Sequence, residues 1–164
     1  SSPVVATHSC CRAIANHPRN LTDQMIKDIA ATGGVVQINF YPPFLNSEYA
    51  KEFWPLCDAF EEVEKLWKDN PDQHNDAYEK AKMEMFALKR PSYKEVADHI
   101  DHVVKLVGAD YVGIGTDFDG IEVTPEGLEG VDKLPVLTEE LINRGYSDED
   151  IKKIMGDNFL RLLD

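Results

Sequence analysis

Positive charge is scarce in this chain of 164 residues: 17 Lys and Arg stand against 30 Asp and Glu, for a formal net charge of −13. Nucleic-acid and anionic-membrane surfaces need clustered cations, so no nucleic-acid partner is expected. The acidity itself reads as solvated bulk charge and points to no substrate. No run approaches the roughly 18–20 apolar residues that cross a bilayer, and no secretory-signal pattern is present. That second absence weighs little, because the chain opens "SSPVVATHS" with no Met and almost no lead-in before a strand. It reads as a segment of something longer. Cysteine is also sparse, limited to Cys10, Cys11 and Cys57. Neighbouring cysteines rarely bridge each other and no CxxC pair exists, so free thiols, buried or half-exposed, are expected. They leave the compartment open.

Three short β-branched runs have the nearly continuous apolar character of a parallel sheet covered on both faces: residues 3–9, 34–40 and 111–117. Between the first two, "NLTDQMIKDIAATGG" places Leu21, Met25, Ile26 and Ile29 on one helical stripe, with a stop at Gly33–Gly34. Strand, helix, strand makes a βαβ unit. Ser92 and Glu95 form a capping box that opens a second helix, whose apolar face is Val96, Ile100, Val103, Val104 and Val107. Further helices are expected near 135–143 and from Ser147, with a last turn capped by Asp157 or Asn158. Residues 41–90 are far longer than an ordinary connection and carry two helical patterns, about 47–69 and 75–88, split at "DNPDQ". Phe53, Trp54, Phe60, Val63, Leu66 and Trp67 are spaced there either to pack on the core or to lid a site. The order of elements is α/β. Three strands leave two open sheet edges, so about three βα units of a larger sheet or barrel are expected.

In such folds ligands meet the C-terminal ends of the strands. The three runs end in "THS", "INFY" and "GTDFDG", which delivers His8 and Asp117 to that rim. Each has an ordinary alternative, since a lone histidine is often a hydrogen-bonded structural residue and a strand-end aspartate often caps a turn. Zinc takes three or four protein ligands, with imidazole and carboxylate both suited. The other histidines add none: His99 and His102 lie on the helix behind the rim, His74 in the break of the 41–90 segment, and His17 in the loop "NHPRN". That loop also carries Arg19. Its planar fork suits bidentate capture of a substrate carboxylate, or it pairs with one of the many acids.

Together, "PVVATHSCCRAIANHPRNLTDQMI", "GGVVQINFY" and "ADHIDHVVKLVGADYVGIGTDFDG" resemble, in order, the C-terminal part of the membrane (renal) dipeptidase family, bacterial members above all. The resemblance covers the chain outside 41–90. It implies that residues 1–164 are one segment, about the last three βα units of a (β/α)8 TIM barrel, with 41–90 a helical insertion. It further implies hydrolysis of dipeptides at a two-zinc centre, with His8 a zinc ligand and Arg19 the group that holds the dipeptide carboxylate. Asp117 then contacts substrate and moves protons between the attacking water and the leaving amine, while Asp119 supports the turn. The implied partners are a dipeptide, the upstream part of the barrel and a second copy of the protein. The family's His-x-Asp pair, bridging glutamate and other zinc histidine have no counterparts here, so the 164 residues alone are expected to be inactive. Another amidohydrolase-type metal enzyme, acting on lactones or N-acyl amino acids, and a non-catalytic binding or scaffold fragment are the alternatives.

Overall fold

The structure is a computed structural model and describes residues 2–69 and 71–163. The side chains at 66, 67 and 69–75 are outside that description, and with them the expectations placed on Leu66, Trp67 and His74. Strands β1 (Val5–Ala6), β2 (Val35–Ile38) and β3 (Val112–Ile114) form one parallel sheet in the order β1-β2-β3. The chain is therefore mixed α/β around a parallel sheet. Val35, Val36 and Ile38 of the central strand are fully buried, as a strand covered on both faces requires. β1 departs from that expectation: its residues are half-buried, and Val4 just before it is 50% exposed. The reason is its place at the sheet edge. The ladders are shorter than the apolar runs, although Ser9 N–H to the Gln37 carbonyl and Gly115 N–H to the Ile38 carbonyl extend the pairing at 2.9 and 3.0 Å.

α1 (Asp23–Ala31) starts where the Thr22 hydroxyl accepts from the Met25 N–H, and it buries Ile26 and Ala30. Met25 is 46% exposed, so the expected stripe narrows to Leu21, Ile26 and Ile29. The segment after β2 folds as α2 (Pro42–Leu45), α3 (Ser47–Asp69) and α4 (Pro71–Ala87). α4 begins at Pro71, earlier than expected, because proline is well placed in a first turn, where its missing N–H costs nothing. Phe53 is fully buried and Trp54 half-buried, so the start of α3 belongs to the core. α4 packs along α3, with the Cys57 and Met85 sulfurs 3.7 Å apart.

α5 (Tyr93–Val107) opens with the expected capping box: Ser92 N–H donates to Glu95 Oε2 at 2.9 Å, and the Ser92 hydroxyl accepts from the Lys94 N–H. Val96, Ile100 and Val103 are fully buried, and α5 packs against both α1 and the sheet. α6 (Leu134–Asn143) is tied to α5 by Arg144, which bonds Asp98, Asp101 and Glu140 at 2.7–2.8 Å. α7 (Asp148–Lys152) is capped by Ser147 as expected, and a kinked turn leads on to α8 (Asn158–Leu160). Neither Asp157 nor Asn158 caps α8. Asp157 is itself helical, so no free N-terminus exists there. Asn158 is instead buried, and its Nδ2 donates to the Ala109 and Val112 carbonyls at 2.6 and 2.8 Å.

That amide fastens the C-terminal helices to the entry of β3. Asn158→Ala strands two buried carbonyls and is expected to destabilise the protein by about 2–4 kcal/mol, read as a lowered urea midpoint at unchanged slope. A midpoint equal to wild type would show that the amide carries no such tie.

Candidate active site at the strand ends

A side chain at Gly115 would run into the Thr7 carbonyl, although Gly115 follows β3 and Thr7 follows β1. The C-terminal ends of the two outer strands therefore come together across Gln37 of β2, and only the bare glycine lets them approach. His8 and Asp117 emerge from the two sides of this convergence. The structure thus delivers both rim residues read from the sequence to the same end of the sheet.

His8 is half-buried and bonded at both ring nitrogens, Nδ1 to the Thr7 hydroxyl at 2.8 Å and Nε2 to Arg19 Nη2 at 3.2 Å. Arginine only donates, so Nε2 is the acceptor and Nδ1 carries the proton. Arg19 is held by its backbone, whose N–H donates to His17 Nδ1 at 3.2 Å, and by the Phe44 ring 5.9 Å beneath its guanidinium. His17 stacks on Trp54 and packs on Phe44, with centroids 5.6 and 4.5 Å away. Burial, then the charges of Arg19 and Arg12, push the His17 pKa down, which keeps its ring neutral against the aromatics. Asn20, fully buried, locks the other end of the loop by donating to the Ala15 and Phe44 carbonyls at 2.8 Å. Among the described residues Arg19 pairs with no carboxylate; one of its five donors goes to His8, and the guanidinium is exposed.

Asp117 is the only non-glycine residue with positive φ among those described, at 59°. Short polar side chains tolerate this left-handed backbone best, at a cost of roughly 1–2 kcal/mol. The turn it opens is closed by the Gly120 N–H on the Asp117 carbonyl at 2.9 Å, and Asp119 lies exposed within it. Asn39 Nδ2 donates to Asp117 Oδ2 at 3.1 Å, while Asn39 Oδ1 accepts from the Tyr41 N–H. Inspection of strand ends for ionisable groups passes over Asn39. The visible signal is an amide within an otherwise apolar "INFY" at the end of a central strand.

His99 lies on the helix behind the rim, where the sequence leaves a surface or a supporting role open, and the structure gives it the supporting one. It is fully buried, its Nδ1 accepting from the Cys11 N–H and its Nε2 donating to the Leu45 carbonyl, both at 3.0 Å. It is a neutral strut between the loop after β1 and α2. His102 instead bonds Asp23 at 2.7 Å, joining α5 to α1. Cys10 and Cys11 are buried and Cys57 half-buried, all as free thiols. Among the described residues no three His, Cys, Asp or Glu side chains gather around a common cation position. The donors present, one imidazole with an arginine on its free lone pair, do not by themselves fit a two-metal centre.

The fold is a parallel α/β unit with His8 and Asp117 at the carboxyl ends of its strands, the end where ligands bind in folds of this class. The chain belongs to the membrane dipeptidase family, peptidase family M19, whose model matches residues 1–164. It is 32% identical to the dipeptidase verJ of Clonostachys rogersoniana, over 99% of this chain and 31% of that protein. The probable dipeptidase PvdM of Pseudomonas aeruginosa is 32% identical and superposes with a TM-score of 0.74, over 98% of this chain and 44% of that one. A metallopeptidase of Rhodobacter sphaeroides, solved with a phosphinate mimic of the dipeptide L-Ala-D-Ala, is 27% identical with a TM-score of 0.71, over 99% and 36%. The chain thus spans about a third of its curated relative.

Burial holds the His99 pKa down at about 4, against 6.5 for an exposed histidine. Its neutral form is the folded one, so stability is complete above pH 6.5 and falls as the pH drops towards 4, by up to about 3 kcal/mol. In pH-dependent urea unfolding, His99→Gln should flatten the curve through this window. A variant that keeps the wild-type slope would assign the acid sensitivity elsewhere.

Proposed function

We propose that the protein to which this chain belongs is a zinc-dependent dipeptidase. In this reading the chain forms about the last three βα units of its (β/α)8 barrel, and 41–90 is a helical insertion. The observation that carries the proposal is the His8–Arg19 pair after β1 and Asp117 after β3 at the same end of one sheet, in a chain matched by the family model along its whole length. The rest of the barrel supplies the remaining ligands, and the 164 residues without them are expected to turn over no dipeptide.

His8 is this chain's contribution to the zinc pair, through the unprotonated Nε2 that accepts from Arg19 here and that Arg19 would release to the metal. Arg19 takes the C-terminal carboxylate of the dipeptide in a bidentate grip, which fixes the register of the peptide bond. The Phe44 ring beneath the guanidinium keeps it in place while its fork stays exposed. Asp117 accepts a proton from the attacking water and returns it to the amine nitrogen as the C–N bond breaks. A carboxylate suits both halves of that transfer.

In the whole protein, Asp117→Asn is expected to lower kcat for dipeptide hydrolysis by about 10²–10⁴ with little change in KM. Arg19→Lys should raise KM by roughly ten- to a hundredfold, because a point charge cannot replace the fork. Full turnover by Asp117→Asn would remove the proposed proton carrier. His8→Ala should reduce the bound zinc measured by elemental analysis, and an unchanged zinc content would overturn its assignment. A panel of dipeptides and N-acyl amino acids separates a dipeptidase from an acyl-amino-acid hydrolase.

A further inference from the structure

The two oxygens of the Asp117 carboxylate stand in different surroundings. Oδ2 accepts the Asn39 amide at 3.1 Å. Oδ1 receives no hydrogen bond among the described residues and faces the bare Cα of Gly120, where a Cβ would sit 2.5 Å from it. Asn39 is fully buried, and its amide cannot turn over. Its Oδ1 accepts the Tyr41 N–H, and a flip would set an NH2 against that donor. Its main-chain carbonyl accepts the Cys10 thiol at 3.2 Å, which holds the strand end itself.

We propose that Asn39 and Gly120 are positioning residues that divide the Asp117 carboxylate into an anchored oxygen, Oδ2, and a working oxygen, Oδ1, which carries the proton. The inference rests on the catalytic role proposed for Asp117. An amide donor suits the anchor because it neither gains nor loses a proton in the working pH range, so Oδ2 stays an acceptor throughout the cycle. Gly120 suits the other side because any side chain would lie on Oδ1 and swing the carboxylate. With left-handed backbone below it and a fixed amide beside it, the carboxylate is left with one orientation.

The test is a pair of double-mutant cycles on the whole, metal-loaded enzyme, with kcat and KM measured separately. Asn39→Ala and Gly120→Ala are each expected to lower kcat about 10- to 100-fold, with KM within about threefold of wild type. In the Asp117→Asn background neither should lower kcat further, since both act through a carboxylate no longer there. A merely structural role would instead give losses that multiply with that of Asp117→Asn. The added methyl of Gly120→Ala meets only side-chain atoms of Asp117 and no backbone, so the variant should fold. Should Asn39→Ala not fold, Asn39→Asp replaces it, because it is isosteric, keeps an acceptor for Tyr41 and lacks the fixed donor. Wild-type kcat in Gly120→Ala, or independent losses in either cycle, would overturn the inference. Wild-type kcat in Asp117→Asn would sink the underlying reading of Asp117 instead, and the cycles keep the two failures apart.

Discussion

β2 pairs in parallel with both of its neighbours, and this register sets where each rim side chain stands. Val36 lies opposite both Val5's successor Ala6 and Val112, so the three strands leave the ladder at nearly the same level. His8 then follows β1, Asn39 follows β2 and Asp117 follows β3. A slip of one residue in β2 would exchange the faces on which Val35 and Val36 pack and carry Asn39 away from Asp117. The fully buried Val35, Val36 and Ile38 make that slip expensive. Packing of the central strand and assembly of the site are thus one constraint.

The loop after β1 shows a second economy. It must present a cation, Arg19, in a strongly acidic chain without letting a neighbouring carboxylate capture it. Neutral partners do this work: His17 through its ring nitrogen, Phe44 through its face, and Asn20 through the loop's own carbonyls. His99 plays the corresponding part from below, a neutral ring spanning the Cys11 N–H and the Leu45 carbonyl. Uncharged struts surround Arg19, so among the described residues no carboxylate neutralises its guanidinium.

Much of this was legible in the residues. Alternating β-branched runs and capped helices located the strands, and the strand-end rule then selected His8 and Asp117. The Ser92–Glu95 box marked the start of α5 to the residue. What escaped depended on partners distant in sequence. His99 looks like a surface position until α2 brings the Leu45 carbonyl over it, 54 residues away. Asn158 resembles a cap, and only the fold reveals the carbonyls of Ala109 and Val112 in its reach. Asn39 carries no charge and so sends no chemical signal of its own. Gly120 reads as turn glycine, because its tie to Asp117 lies in a side-chain orientation.

The left-handed backbone at Asp117 also narrows which acid the position accepts. A glutamate would bring the same charge, yet its longer, freer chain is poorly suited to that φ and would overshoot Asn39. β-branched residues are shut out by the backbone alone. Aspartate, asparagine and glycine are the residues that the conformation admits readily, and of these a single one is an acid. Chemistry and conformation therefore filter the position independently, and their overlap is one amino acid.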